Sequence, residues 1–127
     1  MIHKIMLETH YRPIGEGDYN SEHNGLIDYL SKREDTSLVD RGINEITNYS
    51  AGYCGDRSET HSEYNMFYLV DDVALSLTIY QTTFLNPTKN NHITKMNLKL
   101  ASTNENGIIK LKKSLASIVK LEEQEIK

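Results

Sequence analysis

Apolar and polar residues alternate most regularly between Tyr64 and Leu85. Two segments of period two meet there at Asp71-Asp72, and that period marks a half-buried strand. A two-residue turn at the Asp pair places Val70 opposite Val73, Tyr68 opposite Leu75, Met66 opposite Leu77 and Tyr64 opposite Ile79. One face is then apolar on both strands, which is how a buried face selects its register. Asp-Asp is a weaker turn pair than Asn-Gly, because it supplies positive φ less readily. The cluster NPTKNN (86–91) reads as the next turn. Residues 92–102 follow as a strand with Thr94, Met96, Leu98 and Leu100 inward. Pairing Leu85 with His92 sets Ile79 against Leu98 and Leu77 against Leu100.

The flanking segments change period. Residues 2–11 read as a strand with Ile5, Leu7 and Thr9 inward, and RPIGEGDYN (12–20) reads as a loop. Ser21 is positioned to cap a helix to about Glu34 that buries Leu26, Ile27 and Leu30. Gly25 inside it costs about 1 kcal/mol relative to Ala. Ser37 with Asp40 resembles a capping box, opening a second helix with Val39, Ile43 and Ile46 on one stripe and an end near Gly52. Residues 51–62 are polar and read as a loop. Thr103 or Asn104 caps a last helix to about Gln124, with Ile108, Leu111, Leu115, Ile118 and Val119 forming its apolar stripe. The expected fold is α+β: an antiparallel four-stranded sheet with helices packed mainly on one face, in the order β-α-α-β-β-β-α.

Composition narrows the class. The 127 residues fit one domain spanning 1–127, long enough to bury a core. A single cysteine excludes a disulfide framework and suits a reducing, cytoplasmic setting. No run approaches the ~18 apolar residues of a membrane span, so no membrane association is expected. The N-terminal MIHKIMLETHYRP lacks a signal-peptide core. Asn, Lys and Ile are abundant and Ala is scarce, a bias of AT-rich coding sequences such as those of low-GC bacteria and their phages.

The formal charge of −4 excludes a strongly basic nucleic-acid binder. Its distribution says more. Residues 1–72 carry 6 Lys/Arg against 14 Asp/Glu, a net of −8, while residues 73–127 carry 8 against 4, a net of +4.

The hairpin register also defines a second sheet face, with Phe67, Leu69, Tyr80 and Phe84 beside Ile93, Lys95, Asn97 and Lys99. A solvated face is mostly polar, so this one is expected to meet something. The candidates are the N-terminal loop, a helix, the sister subunit of a homodimer, or a partner. Tyr11, Tyr19, Tyr29, Tyr49 and Tyr53 cluster in or beside the acidic half, and tyrosine is enriched at binding hot spots. With Phe67, Tyr80 and Phe84 they form the candidate protein-binding set. Lys95, Lys99, Lys112 and Lys113 form the alternative set, for an anionic ligand.

Enzyme chemistry is weakly signalled. Gly52-Tyr53-Cys54-Gly55-Asp56 resembles the Gly-x-Cys-Gly-acid start of papain-like and transglutaminase-like cysteine enzymes. That resemblance implies a Cys54 nucleophile at a helix start, with His92 as base. The following Arg57-Ser58-Glu59-Thr60-His61 is wholly polar where that helix needs an apolar side. The five histidines are scattered, with no Cys-x-x-Cys or His-Glu-x-x-His spacing, so no metal site is expected. No phosphate-binding glycine motif is present and no cofactor is expected. The element order is loosely similar to ribosome-associated and double-stranded-RNA-binding folds, on order alone.

The expected function is non-enzymatic binding of a protein partner, as a small intracellular inhibitor of the immunity type or a phage or mobile-element protein that blocks a host factor. The alternative is an RNA- or nucleotide-binding module using the sheet face and C-terminal lysines. A cysteine hydrolase at Cys54 is third.

Overall fold

The computed structural model describes residues 1–10, 19–52, 55–85 and 89–124, with side chains for all of these except 46–52, 55–59, 85 and 89–90. Its elements are β1 (His3–Glu8), α1 (Asn20–Lys32), β2 (Thr36–Gly52), β3 (Gly55–Val70), β4 (Val73–Leu85), β5 (Lys89–Ser102), α2 (Glu105–Ala116) and β6 (Glu122–Gln124). The strands form one antiparallel sheet in the order β2-β3-β4-β5-β1-β6. The four-stranded expectation is therefore incorrect. The sheet has six strands and dominates the fold, and the element order is β-α-β-β-β-β-α-β.

The core follows from the central hairpin. Val70 pairs with Val73, Tyr68 with Leu75, Met66 with Leu77 and Tyr64 with Ile79. Asp71 takes a left-handed φ of 55° to make the turn, and its N–H donates to the Asp35 carbonyl at 2.8 Å. Leu75, Leu77 and Ile79 on β4, Met96, Leu98 and Leu100 on β5 and Leu7 on β1 form one buried cluster with Leu26 and Leu30 of α1 and Ile108, Leu111 and Leu115 of α2. Each such side chain contributes roughly 1.5–3 kcal/mol on burial.

The next pairing is displaced by two residues from the sequence expectation. Ile79 meets Met96 and Leu77 meets Leu98, and past a one-residue bulge the offset grows to three, with Leu85 opposite Lys89 rather than His92. A shift of two keeps every side chain on its face, so Met96, Leu98 and Leu100 stay in the core. A bulge follows: Tyr80 pairs with Lys95 but Gln81 pairs with Ile93, leaving Thr94 as the extra residue. The bulge turns Ile93 inward, where it is buried, whereas strict alternation sets it on the outer face.

The largest correction is β2. Residues 36–52 form a strand paired with β3 along its whole length, from Thr36↔Val70 to Gly52↔Gly55. No helix opens at Ser37. The register skips Val39, with Leu38 opposite Tyr68 and Asp40 opposite Phe67. This bulge puts Leu38 and Ile43, an odd number of residues apart, on the same face. It destroys the two-residue period and leaves a spacing that also reads as helical. The β-branched and Asn-rich content of ITNYS (46–50) favours extended backbone once a partner strand exists. The same pairing makes strand of most of the polar stretch expected as a loop, since backbone ladder bonds require no apolar alternation.

Both helices differ at an end. Tyr19 holds the N-cap position of α1 without a side-chain cap, and Ser21 lies inside the helix with its hydroxyl donating to Glu22 at 2.9 Å. Asn104 caps α2, accepting from the Gly107 N–H at 3.2 Å. The last helix stops at Ala116 instead of running to Gln124. The Leu115 carbonyl accepts from the Ile118 and Val119 N–H groups, and the chain turns so that Glu122–Gln124 pairs with β1. Pairing satisfies the strand edge that β1 would otherwise expose.

Candidate functional site

Cross-strand partners share a face, so the pairing sorts the whole of β2 and β3. The helix-bearing face carries Leu38, Arg41, Ile43 and Glu45 of β2 beside Tyr68, Met66, Tyr64 and Ser62 of β3. The opposite face carries Ser37, Asp40, Gly42 and Asn44 beside Leu69, Phe67, Asn65 and Glu63. The helices cover β4, β5 and β1 well, and Tyr68 and Val70 at one end of β3, but leave much of β2 and the middle of β3 open. Tyr64 and Met66 are only half-buried, and Leu38 and Ile43 are 49% and 50% exposed.

The gap is a groove of about 580 Å³ between α1 and the β2–β3 hairpin. Tyr64, Met66 and Ile79 line it together with Ile27 of α1 and Ile43 of β2. His23, Arg41 and Gln81 supply its polar side chains. A concave apolar surface with a few convergent polar groups is the usual form of a binding site. Burial pushes the His23 imidazole below its ordinary pKa, against a smaller upward pull from its hydrogen bond with Asn24. The neutral ring therefore suits the apolar wall beside it.

The outer face splits into two patches. Phe67 and Leu69, 44% and 46% exposed, lie beside Ser76 and Ala74 of β4. Farther along, Tyr80 lies opposite Glu63 and Lys95, with the Lys95 ammonium 5.8 Å from the Tyr80 ring centre. Lys95 is also ion-paired with Glu8 of β1. Phe84 packs edge-on to His92, ring centres 6.3 Å apart. A smaller concavity of about 430 Å³ here combines Tyr80, Thr82 and Lys95 with Glu63 and His61. Its charge is mixed.

The tyrosines are not gathered into one surface. Tyr19 is buried and its hydroxyl donates to the His10 carbonyl at 2.5 Å. Tyr29 packs on the core and is bound by Arg33, whose guanidinium lies 5.3 Å from its ring centre and donates to its hydroxyl. Tyr49 belongs to β2, and its side chain lies outside the described set. Tyr11, Tyr53 and Cys54 lie outside the described residues, as does the local geometry that the cysteine-enzyme resemblance needs. The lysine set is divided by the sheet. Lys95 and Lys99 face outward, while Lys112 and Lys113 belong to α2 on the other side, with Lys112 paired to Glu123.

The groove escaped sequence reasoning because its β2 wall read as a helix. The signal was present in Leu38, Ile43, Tyr64 and Met66, all apolar and all beyond the reach of two short helices. Among the described residues, no three His, Cys, Asp or Glu side chains gather as a metal site. No helix among them is long and apolar enough to cross a membrane. No known protein family, curated protein or solved structure matches the chain.

Proposed function

We propose that the chain is a non-enzymatic docking protein that grips a partner protein through the groove beside α1 and acts by occupying that partner, as a small inhibitor does. The observation that carries this reading is the apolar groove, where Ile43, Tyr64 and Met66 offer core-type surface that the helices do not cover, beside Ile27 of α1 and buried Ile79. Exposed Leu38, on the same face, extends it along β2. Such an extension suits apolar anchor side chains of another protein better than an enclosed small molecule. Arg41 is the charged residue of the lining itself, but all of the lining except Ile79 and Gln81 comes from residues 1–72, whose net charge of −8 favours a partner with basic residues around its anchor and speeds encounter.

The RNA- or nucleotide-binding alternative draws less support. Lys95 already faces Glu8, Glu63 lies opposite Tyr80, and of the other candidate lysines Lys99 shares that face while Lys112 and Lys113 lie on the far side of the sheet.

Selection of displayed random peptides against the purified protein tests the reading. Enrichment of sequences with an apolar anchor and basic flanks is expected. Met66→Glu should weaken the enriched peptides about tenfold or more, while Lys113→Glu leaves them unchanged. Peptides that bind Met66→Glu as tightly as wild type, or that depend on Phe67 instead, would overturn it.

A further inference from the structure

β2 is the end strand of the sheet, and among the described residues no strand lies beside its outer edge. Natural edge strands are kept from pairing by shortness, proline, charged side chains (lysine above all) or bulges. β2 is 17 residues long and contains neither proline nor lysine. Its bulge lies at Val39, which leaves a regular stretch from Asp40 onward.

That stretch is self-complementary. Arg41, Ile43 and Glu45 alternate on the helix-bearing face. All three side chains are exposed, and neither Arg41 nor Glu45 forms an ion pair with another described residue. A two-fold axis perpendicular to the sheet brings two β2 edges together antiparallel, with both helix-bearing faces on the same side. Cross-strand pairs must share a face, which restricts the register. Centred on Ile43, the register sets Arg41 against the second copy's Glu45 and Glu45 against its Arg41. Centred one residue to either side, it sets Ile43 against Arg41 or Glu45. Centred two residues to either side, it sets Arg41 or Glu45 against its own charge. Only the Ile43-centred register makes two ion pairs flanking an apolar pair. Opposite charges in direct cross-strand contact stabilise a sheet and like charges destabilise it. Gly42, whose Cβ position opens onto free space, adds no bulk to the opposite face of that stretch.

We infer that the chain forms a two-fold dimer in which β2 of one copy pairs with β2 of a second, joining two six-stranded sheets edge to edge about Ile43. The interface is isologous, as a closed dimer requires. It brings the two grooves side by side but does not depend on what fills them. Residues 1–72 of each copy carry a net charge of −8, so the measurement belongs at about 0.15 M salt, where long-range repulsion is screened beyond ~8 Å.

Sedimentation equilibrium on four proteins tests the inference. Wild type is expected to dimerise. Arg41→Glu and Glu45→Arg should each raise the dissociation constant about tenfold or more, because each sets like charges together twice. Their melting midpoints should match that of the dissociated wild type, since both positions are exposed. Mixing the two single variants should restore association, as one edge is then wholly acidic and the other wholly basic. The double variant Arg41→Glu/Glu45→Arg should also dimerise. A wild type that stays monomeric up to its solubility limit would overturn the inference. So would a dimer insensitive to either single variant, or a pair of single variants that fails to associate on mixing. None of these outcomes depends on peptide capture by the groove, so the two readings fail separately.

Discussion

Asn104 joins the hairpin tip to the start of α2: its side-chain amide donates to the Asp72 carboxylate at 2.9 Å while its carbonyl oxygen accepts from the Gly107 N–H at 3.2 Å. Ser102 reinforces the joint by donating to the Asp72 carbonyl at 2.8 Å. A turn made of two aspartates is thereby held by the element that follows two strands later.

Asn104→Ala should cost about 1 kcal/mol in denaturant unfolding, the usual loss for a helix N-cap. Asn104→Asp is the sharper variant. It keeps an acceptor for Gly107 but sets a second carboxylate against Asp72. A residue that only capped the helix would be fully replaced by Asp, so stability is expected to stay below wild type in Asn104→Asp and to recover in Asn104→Asp/Asp72→Asn.

Leu77 is fully buried at the centre of the sheet, between Met66 and Leu98. Leu77→Ala should destabilise by about 2–5 kcal/mol, through lost transfer energy and the cavity left behind. Leu38→Ala, at a half-exposed groove position, should change the unfolding midpoint far less. Equal losses at the two sites would contradict the placement of the helical layer.

Gly25 sits where α1 approaches the segment after α2, and a Cβ there would meet Ile118 Cγ2 at 3.0 Å. Alanine gains about 1 kcal/mol of helix propensity over glycine but must displace that methyl group. Gly25→Ala is therefore expected to stabilise more in an Ile118→Ala background than in wild type. A double-mutant cycle with no coupling would show that the contact does not constrain α1.

Two groups make stability fall as the solution is acidified, in separate windows. Arg33 donates to both oxygens of Asp35, at 2.7 and 2.8 Å, and its hydrogen bonds hold the Asp35 pKa down to about 2. A folded pKa below the unfolded value of roughly 3.9 gives stability that is present above that value and lost toward pH 2. The gap in melting midpoint between wild type and Asp35→Asn should close across this window, and modestly, since the pair is solvent-facing. His23 is shifted downward by burial, so the folded state prefers the neutral ring. Its contribution is present above about pH 6.5 and lost as the pH falls through that value. His23→Gln should flatten the midpoint between about pH 7 and pH 5.

The hairpin from Tyr64 to Ile79 was legible residue by residue, because each strand buries one face and shows the other. The core positions of β5 were legible even with the register two residues off, since an even shift preserves the face. Leu38, Ile43 and the whole of β2 were not. A bulge at Val39 erased the two-residue period, and groove side chains that are only half-covered leave no strong pattern. The candidate tyrosines failed as a group for a related reason. Proximity in sequence placed Tyr19 and Tyr29 near one another, but Tyr19 turned into the core and Tyr29 against Arg33.

By itself the sequence determined the central hairpin, the apolar faces of the middle strands and the stripes of both helices, because alternation and helical spacing are local consequences of burial. Only the tertiary structure decided that residues 36–52 extend the sheet, that Glu122–Gln124 closes its other edge, and that Ile43, Tyr64 and Met66 border an open groove. Those outcomes depend on which strand finds which partner and on how far two short helices reach, and neither is written in the local pattern of any one segment.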